Sequence, residues 1–280
     1  MRASRRPPLL ESAPFSTVAT PTVEELLDRA HVTGPRTGLG STELRRLIAR
    51  IVAADAATRG GLPALPDVTD DEVVVAIRAT FGASTTGPAI AAAATVRAAE
   101  RVVAALADVG ARGASVLAAT ARPASLLGLQ RGLAALAERA GAQRVVLEDS
   151  SEVLLDGRRG RRLRSVDGVV CVTDGDSLLA TDDPLAATEL LFTVPRPGLV
   201  VADGRFVFAA AAAGLPVVAT AGLDHAVLAV AARRLRGLTV LPVEPTRPPA
   251  AYEPLLEHLQ ALVSTPGTLN AGWNGAQERT

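Results

Sequence analysis

Between residues 197 and 248 the chain carries three short apolar runs, 198–202, 216–220 and 238–243, each continuous rather than alternating and each ending in polar residues. Continuous aliphatic runs of this length predict strands buried on both faces of a parallel sheet. The stretches between them are too long for hairpins and have helical spacing, so the segment reads β-α-β-α-β. Upstream, 115–120, 144–148 and 168–173 predict three more strands, and 124–140 a helix buried through Leu126, Leu129, Leu133 and Leu136. A hairpin with an arginine-rich tip is expected over 152–164, around Asp156-Gly157.

Before residue 113 the pattern is helix after helix. Thr22 with Glu25 opens the first as a capping box, and residues 31–35 stop it. Leu44, Leu47, Ile48 and Ile51 form the buried stripe of a second, with Arg45, Arg46 and Arg50 turned toward solvent. Thr69 caps a third through Ala79, and Pro88 suits the first turn of a long alanine-rich helix to about Asp108. The expected architecture is α/β: a mostly parallel, Rossmann-like sheet over 111–263 with helices on both faces, and a helical N-terminal part over 21–110. Residues 1–20 read as a disordered lead-in and 264–280 as a loose tail.

Hydrophobic residues make up 48% of the 280 and aromatic residues only 2%. A core of Ala, Val and Leu follows, without the stacking platforms of single-strand nucleic-acid binders. Arginines and acids balance at 29 each, which removes an overall positive field for nucleic acid. Lysine is absent, so Schiff-base chemistry is excluded and arginine must serve wherever phosphate is held. Cys171, the single cysteine, forms no internal disulfide and suits a reduced cytoplasmic compartment. The basic start lacks an apolar h-region and no run has membrane-spanning length, so neither export nor membrane association is expected.

Parallel sheets bind ligands beyond the carboxyl ends of their strands. The expected rim therefore holds Asp203, Gly204 and Arg205, then Thr220 with Asp224 and His225, then Glu244 with Arg247. Asp203 suits a metal ligand, general base or nucleophile, or alternatively the cap of a helix over 206–213. Asp224 is a natural N-cap of a helix over 226–236, and His225 is the proton-transfer candidate. Thr120 ends the first strand and Arg122 follows it; both are expected to bind substrate, with Arg122 or Arg205 holding its phosphate. Ser84 and Thr85 precede the long helix, where free N–H groups receive an anion or the side chains simply cap. Asp174 and Asp176 are the best pair for Mg²⁺ or another divalent metal, against an ordinary acidic turn. The chain has no G-x-S-x-G, H-E-x-x-H, Walker A or strand-following G-x-G-x-x-G pattern, so no nucleotide or haem cofactor is indicated.

The order of segments resembles an actinobacterial protein family generally described as phosphatases, over roughly residues 70–255. The likeness rests on Ser115 to Thr120 with Arg122-Pro123 and Leu126-Leu127-Gly128, and on Leu199 to Gly204. It continues through Gly214-Leu215-Pro216 with Asp224, and Val240 to Val243 leading to Tyr252-Glu253-Pro254-Leu255. The resemblance implies an α/β protein that binds a small phosphorylated metabolite and hydrolyses a phosphomonoester, with metal assistance. It also implies histidines at positions that here read Ala121, Ala124 and Gly204, and polar Asp, His and Gln residues where 84–91 stand, while Asp203 and Asp224 carry over. The alternative it leaves open is a catalytically silent relative acting in ligand sensing or protein interaction. The Ala- and Leu-rich helices can also bury the face of a homo-oligomer.

Overall fold

The structure, a computed structural model, describes residues 20–62, 65–147, 153–154 and 161–264. Five helices come first: α1 (Val23–Arg29), α2 (Ser41–Val52), α3 (Ala56–Arg59), α4 (Asp70–Phe81) and α5 (Ala92–Ala111). Thr22 caps α1 in the expected capping box, and Thr69 accepts from the N–H of Glu72 at the start of α4. α3 was not legible. It is one turn long, capped by Asp55, and lies between the second and third expected helices, where no element is expected.

The rest alternates strand and helix: β1 (Ser115–Ala119), α6 (Pro123–Arg139), β2 (Gln143–Val145), β3 (Val153–Leu154), β4 (Arg162–Val166), β5 (Val169–Thr173), β6 (Leu178–Leu179) and α7 (Pro184–Thr193). Then follow β7 (Leu199–Asp203), α8 (Arg205–Ala212), β8 (Val217–Ala221), α9 (Val227–Arg234), β9 (Leu238–Pro242) and α10 (Glu253–Ser264). One sheet has the order β3-β4-β5-β1-β7-β8-β9, with β2 also on β1 and β6 also on β5. β1, β2, β5, β7, β8 and β9 are parallel, while β4 and β6 run antiparallel to β5. β3 pairs antiparallel with β4 as the arms of the expected hairpin, whose tip lies outside the described residues.

Alternate strand residues feed two cores. Leu117, Ala119, Val200, Ala202, Val217 and Ala219 pack with α2, α4, α7, α8 and α9. Val116, Leu199, Val201 and Val218 pack with α1, α5, α6 and α10. The N-terminal helices therefore cover both faces of the sheet. Among the described residues no helix is long and apolar enough to cross a membrane.

Two expected boundaries moved. The long helix begins at Ala92, not Pro88, because Ile90 is fully buried and forms a β-bridge with Gly34, which holds the chain extended through Ala91. Ser84 and Thr85 thus lie in a turn before that bridge, where the Ser84 hydroxyl accepts from the N–H of Gly87 at 2.9 Å, and they guard no helix start. The expected helix over 226–236 is α9, Val227–Arg234, but a 3₁₀ turn over Leu223–His225 precedes it and Ala226 stands at its N-cap, so Asp224 does not cap it.

Candidate functional site

β1 is the strand from which the chain winds in two directions. β2 and β5 lie on one side of it, β7, β8 and β9 on the other. The crevice beyond the ends of β1 and β7 is therefore the switch point where ligands bind in sheets of this kind. Gly204 turns the chain there from β7 into α8 with φ 56° and ψ −139°, and no side chain caps the helix. A Cβ on Gly204 would lie 2.6 Å from that of Ala121, so the loops after β1 and β7 touch.

Above this point lies a cleft of about 210 Å³. α2 supplies Leu47 and Arg50, α3 supplies Ala57 and Thr58, and the sheet rim supplies Arg122, Asp182, Arg205, Phe208, Asp224 and His225. Four of the expected site residues thus converge: Arg122, Arg205, Asp224 and His225. Arg50 is exposed, as expected of the polar face of α2, and also borders the cleft. Arg50 and Arg205 make no ion pair with a described carboxylate.

The geometry of the cleft wall is specific. Asp224 reaches the Arg122 Nη2 at 3.3 Å through one oxygen and the His225 Nδ1 at 3.2 Å through the other. Burial works to raise the Asp224 carboxyl, but the His225 hydrogen bond and the charges of His225 and Arg122 outweigh it and hold it below the ordinary value. With Nδ1 directed to the carboxylate, Nε2 is the ring nitrogen left for chemistry. Phe208 packs against the ring at 5.7 Å between centroids, and the Arg205 guanidinium lies 5.6 Å over the other ring system of that pair, Phe208. One buried phenyl therefore positions both a cation and the imidazole.

Asp203 sits beneath the cleft and does not line it. It is fully buried and caps nothing; its Oδ1 accepts from the N–H of Ala121 at 3.2 Å and from the Gln130 Nε2 at 3.4 Å. Its role as a helix cap is overturned, since Gly204 occupies the N-cap position of α8. Asp203 Oδ2, Gln130 Oε1 and Thr220 Oγ1 are buried with no protein partner. Burial pushes the Asp203 carboxyl up to about 6, against the opposing pull of the Thr120 hydroxyl, the Arg122 guanidinium, the Ala121 N–H and His225.

That shift has a measurable consequence. The folded chain holds the Asp203 proton more tightly than the unfolded chain does, so its contribution is complete below the ordinary carboxyl value and is lost as pH rises through about 6. The loss amounts to about 3 kcal/mol. Asp203→Asn, which cannot titrate, is expected to flatten the fall in unfolding free energy between roughly pH 4 and 6.5. Urea denaturation across that range checks it. Parallel curves for the two proteins would contradict the assignment.

The remaining expected residues lie elsewhere. Thr120 is buried and its hydroxyl accepts from the N–H of Arg122 at 3.1 Å, so it shapes the loop rather than facing a ligand. Ser84 and Thr85 do not line the cleft. Asp174 and Asp176 are exposed in the turn between β5 and β6. Among the described residues no three His, Cys, Asp or Glu side chains are grouped to hold a metal ion.

A protein-family model described as Phosphatase matches residues 19–265. The chain belongs to this phosphatase family. The match is wider than the resemblance over 70–255 and takes in α1, α2 and α3, the last two of which wall the cleft. No curated protein and no solved structure matches the chain.

Arg50, Thr58 and Asp182 are the polar residues of this phosphatase-family cleft that sequence reasoning missed. Arg50 carries no local signal, because an arginine on the polar face of an amphipathic helix looks solvated. Asp182 carried one. The helix α7 needs a single cap, and Asp183 provides it by accepting from the N–H of Leu185 at 2.9 Å, leaving Asp182 as a surplus acid.

Proposed function

We propose that this phosphatase-family chain binds a small phosphorylated metabolite in the cleft and hydrolyses its phosphomonoester. The observation that carries the reading is the convergence of Arg50, Arg122 and Arg205, from three separate elements, beside the Asp224–His225 pair at the sheet's switch point. Phosphoryl transfer passes through a transition state whose charge spreads over the non-bridging oxygens, so catalysis is chiefly positioning and electrostatic stabilisation. Guanidinium groups match that geometry by donating in planar pairs.

In this reading Arg50 and Arg205 hold the phosphoryl oxygens, and Arg122, fixed by Asp224, completes the cradle. Water supplies the oxygen that forms the new bond to phosphorus while the ester P–O bond breaks. His225, held as the imidazolium by Asp224, gives its Nε2 proton to the departing alkoxide, and the neutral imidazole then takes the proton that the attacking water releases, which restores the imidazolium. No step is routed through a metal.

A second reading, ligand binding without hydrolysis, is favoured by one observation. Ala121 and Gly204, two positions where the resemblance implies histidine, press together across the switch point and leave no catalytic side chain there. Calorimetric titration with inorganic phosphate tests the binding step that both readings share. Arg205→Met is expected to weaken phosphate by roughly 10- to 100-fold, as for one desolvated charge-assisted contact. An unchanged affinity would remove the cleft as the phosphate site.

A further inference from the structure

The cleft contains one carboxylate that its arginines do not neutralise. Asp224 is engaged by both Arg122 and His225, whereas Asp182 is exposed on the wall with no ion pair to any described residue. It is also not used by the backbone, since Asp183 caps α7. The segment carrying it is nonetheless anchored: the N–H of Thr181 donates to the Ala121 carbonyl at 2.9 Å, and the Thr181 hydroxyl accepts from the N–H of Asp183 at 3.1 Å. Asp182 is therefore tied to the loop that also carries Arg122.

Thr58, also in the lining, points to the same chemistry. Its hydroxyl donates to Asp55 Oδ2 at 2.6 Å, so only lone pairs remain for a ligand. One part of the lining thus offers guanidinium donors and another offers acceptors alone. A ligand carrying nothing but anionic groups would meet an unpaired carboxylate and be repelled by it. A ligand with a cation next to its phosphate would gain there instead. At about 210 Å³ the cleft is smaller than the roughly 300–1,000 Å³ of sites for drug-sized ligands, which limits it to compact molecules.

We propose that Asp182, with Thr58 as an accessory acceptor, selects phosphomonoesters that carry an ammonium group close to the phosphate, the class of phosphorylated amino alcohols and amino acids. The inference rests on the cleft being the phosphate site. The cleft arginines and Asp182 hold the two ends of the substrate, and the ammonium takes the place of the cation that Asp182 lacks.

The test is calorimetric titration of the wild-type chain and Asp182→Asn with three probes: inorganic phosphate, O-phosphoethanolamine and glycerol 3-phosphate. The wild type is expected to prefer O-phosphoethanolamine to glycerol 3-phosphate by roughly tenfold, one charge contact in partial solvent. Asp182→Asn is expected to erase that preference and to bind inorganic phosphate more tightly than the wild type, an opposite sign that general damage to the fold would not produce. Equal affinity for both esters in the wild type, or a preference for the polyol ester, overturns the selection by Asp182 while leaving the phosphate site intact. A preference that survives in Asp182→Asn assigns the recognition elsewhere and also overturns it. Absence of binding by all three probes overturns the cleft reading itself.

Discussion

Gly204→Ala is expected to destabilise the chain by about 3 kcal/mol or more. Two independent costs combine. The backbone there has φ 56° and ψ −139°, a region that side chains with a Cβ rarely enter. The added Cβ would also stand 2.6 Å from the Ala121 Cβ, well inside contact distance, and both partners belong to loops anchored by buried strands. Ala121 cannot withdraw freely, because its N–H is bound to Asp203 and its carbonyl receives the N–H of Thr181. Thermal or urea unfolding measures the cost. A variant as stable as the wild type would mean that the two loops are not in contact.

His225→Gln is expected to lower phosphoester turnover by about 10²- to 10⁴-fold, the usual weight of a positioned proton-transfer group. The loss should fall on kcat rather than on phosphate affinity, since the arginines that hold the anion are untouched. Glutamine is chosen because it retains a polar side chain of similar reach but cannot exchange a proton at neutral pH. Released phosphate, assayed with saturating ester, checks it. An equal loss of binding and turnover would make His225 a structural neighbour of Phe208 rather than the proton carrier.

The strands were legible because burial on both faces writes them as continuous apolar runs: 198–202, 216–220 and 238–243 fall within a residue or two of β7, β8 and β9. Local chemistry misled where tertiary contacts competed with it. Pro88 looks like the start of a helix, yet the burial of Ile90 and its bridge to Gly34 keep the chain extended for four more residues. Asp203 and Asp224 look like caps by position, but the first is the last residue of a buried strand and the second turns sideways to Arg122 and His225.

The site was legible only along the sheet rim. Arg122, Arg205, Asp224 and His225 follow strand ends, so topology places them together once the strands are known. Arg50 and Thr58 come from helices more than 60 residues earlier in the chain than Arg122, and no spacing within the sequence links them to it. Their convergence depends on how α2, with α3 beside it, packs on α4, which is decided by the burial of Leu44, Leu47, Ile48 and Ile51 rather than by any motif.

The central claim is that the arginine-lined cleft hydrolyses small phosphomonoesters with the chain's own residues. Its most direct test is release of inorganic phosphate by the purified wild-type chain from a panel of compact phosphorylated amines, polyols and acids, with chelator present and with added Mg²⁺ in a parallel arm. The account predicts release in the chelated arm, competitive inhibition by inorganic phosphate, and loss of both binding and release in Arg205→Met. Tight ester binding without release in either arm, or release confined to the Mg²⁺ arm, would contradict it.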